Sequence, residues 1–336
     1  MVELSVSPFV QDEGVPKINV LTLSEQIRTE ADAYEYLEGL RWDGVPECPH
    51  CGNTDRCYFL KAKNGTRKTS TGAATQRRLW KCSACRKQFS VLTGTVMHGT
   101  KIPVRTWVFV LLEMVASKNG VAAREIERKY GLTPRSAWFL THRIREAMKA
   151  DGILTRITGT VVADETFIGG LNGNRHASKR DRAIPKTAVL TLIDSETGEA
   201  RSRVVPNVRS KTLRRALQEQ VDPSATLHTD SAAAYVRFGE EVAAHETVNH
   251  LAGEYVRAGV STNKAENYFS QLKRSLDGTH HQVTAEHLHR YLVEFDFRYS
   301  TRKLADSERF NLLASRLGGK RFTYRKCPAS SEALVA

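Results

Sequence analysis

No stretch of the sequence is apolar for the roughly 20 residues that a membrane-crossing helix needs, so no helical span is expected. The opening residues, MVELSVSPFVQDEG, lack the basic n-region and apolar core of a secretory signal, and a cytoplasmic location is the expectation. No internal repeat is visible. Acid is missing from one long window. Between Arg56 and Leu112 there are twelve Lys and Arg residues and no Asp or Glu. The whole chain of 336 residues has a net charge of +13, so this window nearly accounts for the excess. The window has no strong amphipathic helical pattern, which makes a membrane surface a poor partner. A polyanion suits it better, because clustered Lys and Arg neutralise phosphates well.

Cysteine is scarce, with six in the chain. Four are paired as Cys48-Pro-His-Cys51 and Cys82-Ser-Ala-Cys85, while Cys57 and Cys327 fall outside the pattern. Two such pairs in a cytosolic chain of this size indicate a metal site rather than disulfides. Four thiolates in two knuckles suit tetrahedral Zn²⁺ in a closed structural site. The strand-forming insert between the pairs points to a zinc ribbon, and His50 inside the first knuckle is a bystander. The insert's centre, KAKNGTRKTSTGAATQRR, reads as a hairpin or loop.

Residues 24–41 read as one helix capped by Ser24, with Ile27, Ala31, Tyr34 and Leu37 or Leu40 on its inner face. Three further helices follow the ribbon. The first buries Trp107, Leu111 and Met114 or Val115, the second ends at Gly131, and the third opens at Thr133-Pro134. Two short helices around a Gly turn suggest a helix-turn-helix, with Arg135, Arg143 and Arg145 on its last helix as DNA contacts. From residue 157 onward strands and helices mix as in an α/β domain. Three strands lead to a helix, a strand that ends on Asp230, and a helix pair.

The motif VVADETFIGG poses a chemical question, because its strand ends on the adjacent acids Asp164 and Glu165. Asp164, Asp230 and Glu266 offer three hard oxygen ligands from three elements of one domain, which suits Mg²⁺ when a phosphate completes the coordination. Two such ions can serve an in-line displacement at phosphorus. Lys273 lies seven residues after Glu266, two turns along the same helix face, and would reach a phosphate. On a strand Asp164 and Glu165 face opposite ways, so only one of them serves the site.

The segments CPHC and CSAC, then ADETFIGG, HTDSAAAY and STNKAENYFSQLKRSLDGTHHQVTAEHLHRYLVEFDFRYSTR, resemble bacterial insertion-sequence transposases of the ISXO-type DDE family. The resemblance covers roughly residues 45 to 305. It implies an RNase H-like domain with Asp164, Asp230 and Glu266 as the acidic triad, binding Mg²⁺ or Mn²⁺ as two ions, and Lys273 beside them. It places the ligand at Asp164 rather than Glu165. The third acidic position varies in that family, and Asn263 and Asn267 flank Glu266. The implied activity is cleavage at transposon ends, with water and then a freed 3′-OH as nucleophiles. The implied partners are terminal inverted repeats and target DNA, and the protein would work as a homodimer or higher oligomer, associated with the nucleoid.

The expected organisation is an N-terminal helical segment (1–45), a zinc ribbon (46–100), a helix-turn-helix (101–150), an RNase H-like catalytic domain (157–310) and a tail (311–336). Expected DNA contacts are Arg67, Lys68, Arg77 and Arg78 in the basic window and Arg135 and Arg143 on the last helix. A transcription regulator could share the ribbon and helix-turn-helix but has no use for three acids in one domain. The same residues would also suit a domesticated, inactive transposase or a plain metal-dependent nuclease.

Overall fold

The computed structural model describes residues 18–62, 67–68, 74–150, 155–169, 186–249, 256–257, 260–281, 283–320 and 322. The segment KCPASSEALVA, expected to be a frayed end, and Cys327 within it lie outside the described residues. The chain divides into two compact units. One comprises Met1–Val91, Ile102–Leu112 and Leu304–Ala314, and the other Leu92–Lys101, Glu113–Lys303 and Ser315–Ala336.

In the first unit, the helix expected over 24–41 is two helices, α1 (Val20–Gln26) and α2 (Glu30–Trp42). Ser24 lies inside α1 rather than capping anything. The cap is Thr29, whose hydroxyl accepts from Asp32 N while the Asp32 carboxylate accepts from Thr29 N at 2.7 Å. This reciprocal pair satisfies two orphan donors and starts a new helix where the apolar pattern alone runs on. The ribbon follows as β1 (Cys57–Phe59), β2 (Arg67–Lys68), β3 (Ala74–Thr75), β4 (Trp80–Cys82) and β5 (Gln88–Phe89). Strands β1, β4 and β5 form one antiparallel sheet, and β2 and β3 pair antiparallel as a separate two-stranded sheet. Trp42 at the end of α2 meets Trp80 and Phe89 edge-on, each with a centroid separation of 5.8 Å, and the Trp80 indole donates to Glu38 at 3.0 Å. Helix α2 is thereby part of the ribbon's small core.

Helix α3 (Val104–Ala116) runs from the first unit into the second, with Trp107, Leu111, Met114 and Val115 all fully buried. The second unit continues with α4 (Ala123–Tyr130) and α5 (Pro134–Met148). Gly131 ends α4 in the left-handed region, and Thr133 caps α5 ahead of Pro134, as the sequence indicates. Strands β6 (Thr160–Ile168), β7 (Thr187–Asp194) and β8 (Ala200–Val205) form an antiparallel run, and α6 (Ser210–Gln218) leads to β9 (Thr226–Asp230). A short α7 (Val236–Gly239) precedes β10 (Ala244–Val248), a strand too short and polar to stand out in the sequence. Helix α8 (Asn263–Ser275), a π-turn (Leu276–His280), α9 (Ala285–Ser300) and α10 (Asp306–Ser315) complete the chain. Residues 306–315 thus form one helix across the expected start of the tail.

The five-stranded sheet has the order β10-β9-β6-β7-β8, with β9 and β10 parallel to β6 and the other pairs antiparallel. This order and polarity are those of an RNase H-like sheet. Odd-numbered Val161 and Ala163 of β6 face a core shared with Leu213 and Leu217 of α6, and with Tyr235 and Phe238. Val162, with Val189 and Ile193 of β7, faces the opposite core of Ala265, Tyr268, Phe269 and Leu272 of α8 and Leu292 and Phe295 of α9. Helices therefore cover both faces, which accounts for the near-continuous burial of β7.

Candidate active site

The parallel pairing of β6 with β9 covers only Thr160–Val162 against Thr226–His228. Beyond it the strands part. Asp164 is therefore not the end of its strand, as expected from the sequence, since β6 stays paired with β7 as far as Ile168. It lies two residues past the last rung with β9, and Asp230 lies two residues past the same rung on the other strand. By the alternation of side chains both acids face the α8–α9 side. They thus stand at the carboxyl-end opening between two adjacent parallel strands, where an open α/β sheet offers a crevice for a ligand.

Burial lifts the Asp164 carboxyl to about 7, against the opposing effect of a backbone hydrogen bond from Glu165 N at 2.8 Å. The charges of Glu165, Asp230 and Glu266 push it the same way. Asp230 accepts from Ala232 N at 3.0 Å, a local turn that holds its carboxylate. Glu266 is exposed in the first turn of α8, and Lys273, also exposed, follows seven residues on the same face, about 10 Å along the axis. The three acids have a field in common but not a tight cluster. Among the described residues, the four cysteines are the only group of three or more candidate ligands whose atoms all lie within 4.8 Å of one another.

Glu165 faces the other way, into the α6 core. Its carboxylate accepts a short hydrogen bond from the hydroxyl of Tyr235, which is fully buried. Tyr235 had no mark in the sequence beyond its place in HTDSAAAY. His228, on the same face as Asp230, is largely buried and lies 3.4 Å from Glu246. His280 packs beside Gly120, where φ is +89° and a Cβ would lie 3.1 Å from the imidazole Nε2. Burial brings that imidazole down to about 4. Arg298 joins Glu294 in an ion pair and also donates to the Met114 carbonyl at 2.6 Å, closing the end of α3.

The cysteine site is well formed. Cys48 and Cys85 sulfurs lie 3.6 Å apart and Cys51 and Cys82 sulfurs 3.7 Å. The edge of a tetrahedron with Zn–S bonds of about 2.3 Å is about 3.8 Å, so the donor set fits zinc. Backbone N–H groups of Cys85 and Ala84 favour the thiolate of Cys82, while burial and the neighbouring sulfurs raise the Cys51 thiol. The residue after each knuckle is left-handed, Gly52 at φ 69° and Arg86 at φ 62°. His50 is exposed and outside the cluster.

Several expected DNA contacts are engaged inside the protein. Arg143 is buried and donates to the His98 carbonyl at 2.6 Å. It sits on the inner face of α5, so the expectation of a DNA contact is corrected. Arg145 is also buried and pairs with Glu294 at 2.6 Å. Arg78 pairs with Glu38 at 3.0 Å and with Glu35 at 2.5 Å, over the Phe59 ring. Arg67 donates to the Leu60 carbonyl. Lys68, Arg77 and Arg135 are exposed.

Residues 156–300 match the ISXO2-like transposase domain, and residues 28–88 match the transposase zinc-ribbon domain. These two segments are thus similar to domains of transposases. The ribbon match begins at residue 28 and so includes α2, in keeping with the packing of Trp42 and Glu38. A curated relative, described as an uncharacterized protein in transposable element ISH50 of Halobacterium salinarum, is 27% identical over 283 residues, covering 80% of this chain and 90% of the relative. Among solved structures there is a match to a chain of the simian T-cell lymphotropic virus intasome in complex with PP2A regulatory subunit B56 gamma. It has a TM-score of 0.27 and 15% identity, covering 51% of this chain and 63%, less than two thirds, of that one.

Proposed function

We propose that the protein is an active DNA transposase that binds transposon ends and performs metal-dependent strand cleavage and strand transfer. The observation that carries this reading is the placement of Asp164 and Asp230 on one face at the parting of β6 and β9, with Glu266 on the helix that covers that face. Burial and neighbouring acids raise the Asp164 carboxyl to about 7, and a bound cation would offset both effects. Mg²⁺ or Mn²⁺, bound as two ions, would supply charge neutralisation at the phosphate and activation of the attacking oxygen. Asp164 and Asp230 supply oxygen ligands from positions fixed by strand register, and Glu266 supplies a third. Lys273 holds a phosphate as a point charge. Tyr235 keeps Glu165 on the far face, so its charge contributes field without occupying the site.

The attacking groups are water in the first step and the freed 3′-OH in the second, with no covalent protein intermediate. Helices α4 and α5 act as a helix-turn-helix reading the ends, with Arg135 at the start of α5 as a base or phosphate contact. Lys68 and Arg77 contact the backbone. The working form is a homodimer or larger assembly on paired ends. The test is a plasmid carrying the gene with its native flanks, incubated with full-length protein, Mg²⁺ and a target plasmid. Nicks at the flanks and joined products are expected. Binding without nicks or joining, in Mg²⁺ and in Mn²⁺ alike, would leave a DNA-binding regulator or an inactive transposase as the better reading.

A further inference from the structure

Asp164 and Asp230 are spaced by strand register, whereas Glu266 is not. Across its middle α8 lies on the sheet through apolar contacts of Ala265, Phe269 and Leu272, which are non-directional. Misplacement of about 1 Å in a catalytic constellation can cost on the order of 100-fold in rate. The ends of α8 are tied by Lys264, which donates to the Ser195 carbonyl at 2.8 Å, and by Ser275, which donates to the Asn119 carbonyl at 2.6 Å, and a polar chain on the buried face fixes the register between them. The Tyr268 hydroxyl donates to Asp296 Oδ1 on α9 at 2.6 Å and accepts from Ser202 Oγ on β8 at 2.7 Å. Asp296 Oδ2 accepts from Ser202 N at 2.8 Å. Ser202 Oγ lies 2.9 Å from Thr191 Oγ1 on β7, and since the Ser202 proton goes to Tyr268, Thr191 is the donor of that pair. Thr191 is the residue directly opposite Asp164 in the ladder.

The chain therefore runs from the helix that carries Glu266 to the strand partner of Asp164, with every hydroxyl donating toward one carboxylate. Hydrogen bonds in such a series strengthen one another. Tyr268 and Thr191 are fully buried, so water does not substitute for a lost link. We infer that Tyr268 and Asp296 are positioning residues, joined through Ser202 and Thr191, that set Glu266 against Asp164. This inference rests on the transposase reading and assigns the residues that hold its third carboxylate in place.

The test separates position from stability. Tyr268→Phe keeps the ring among Phe269, Phe295 and Tyr299 and removes only the hydroxyl. Val221→Ala thins the core on the opposite face and is the stability control. Ser202→Ala cuts the link while sparing Tyr268 and Asp296, and carries the test should Tyr268→Phe fail to fold. The readouts on full-length protein are Tm, Mn²⁺ binding followed by its EPR signal, and single-turnover cleavage of labelled duplex from the gene's flanks. Tyr268→Phe should weaken Mn²⁺ binding several-fold and slow cleavage by roughly 10- to 100-fold, in line with a small misplacement. Val221→Ala should lower Tm at least as much and change neither. Wild-type metal binding and cleavage in Tyr268→Phe or in Ser202→Ala would overturn the inference alone. Wild-type protein that neither binds Mn²⁺ nor cleaves would remove the transposase reading, and this inference with it.

Discussion

Asp164 and Glu165 occupy different environments because successive side chains on a strand point to opposite faces. One faces the α8 side with Asp230, and the other meets Tyr235 in the α6 core. Asp164→Asn should abolish cleavage while leaving DNA binding intact. Glu165→Gln should keep cleavage within about fivefold and lose roughly 1–2 kcal/mol of stability, since the Tyr235 hydroxyl then meets a neutral acceptor. Single-turnover cleavage and chemical denaturation of both variants decide, and equal loss of cleavage would move the ligand assignment to the pair. The same contrast holds for two arginines on α5. Arg135→Ala should weaken binding to end sequence more than to random DNA, whereas Arg143→Ala should lower Tm, because its guanidinium serves the His98 carbonyl. The acids were legible in the sequence because Asp164 and Asp230 close apolar runs. The fate of Arg143, Arg145 and Arg78 was not, because which face of an element turns inward is decided by packing partners distant in the chain.

Helix α5 packs on α9 through a cluster that depends on protonation. His142 of α5 is fully enclosed, with Trp138 at 4.1 Å and Tyr291 at 5.5 Å between centroids, and neither ring nitrogen has a hydrogen-bond partner among the described residues. Burial, and then the charges of Arg145 and Arg290, bring its imidazole down to about 2. In the unfolded chain it titrates near 6.5. Between those values the unfolded state binds the extra proton, so stability falls as pH falls from about 6.5, by up to about 1.4 kcal/mol per pH unit. His142→Phe should flatten the decline of Tm between pH 7 and pH 5, and an unchanged slope would assign that decline to other groups. The ribbon is the other element whose order depends on its chemistry. Purified protein should hold about one Zn²⁺ per chain, and Cys82→Ser should melt the ribbon and weaken end binding while sparing the catalytic sheet. Metal analysis and circular dichroism test this. The cysteine spacing made the ribbon readable, since ligand count and knuckle geometry are local. The break between α1 and α2 was hidden, because the apolar period continues through the Thr29 cap.

Charge is a property of the whole molecule, and burial changes what it can do. The sequence places twelve cations and no acid between Arg56 and Leu112, and treats Arg67, Lys68, Arg77 and Arg78 alike. In the folded chain Arg78 is held by Glu35 and Glu38, and Arg67 by the Leu60 carbonyl, while Lys68 and Arg77 remain exposed. Acids outside the window therefore neutralise part of it, which no count inside the window reveals. Each phosphate neutralised contributes about −0.9 to the slope of log K against log salt. Replacing all four cations by Ala should therefore lower the slope by about 2 rather than by nearly 4. The Lys68→Ala and Arg77→Ala pair alone should account for that change, equally on end and random DNA, because phosphate contacts position without reading bases. Arg78→Ala should leave the slope alone and lower stability, since Glu38 would remain largely buried without its partner. Fluorescence anisotropy over a salt series with both DNAs measures the slope. A drop of nearly 4 in the fourfold variant would mean that Arg67 and Arg78 leave their internal partners on binding, and an unchanged slope would leave the window as solvated surface.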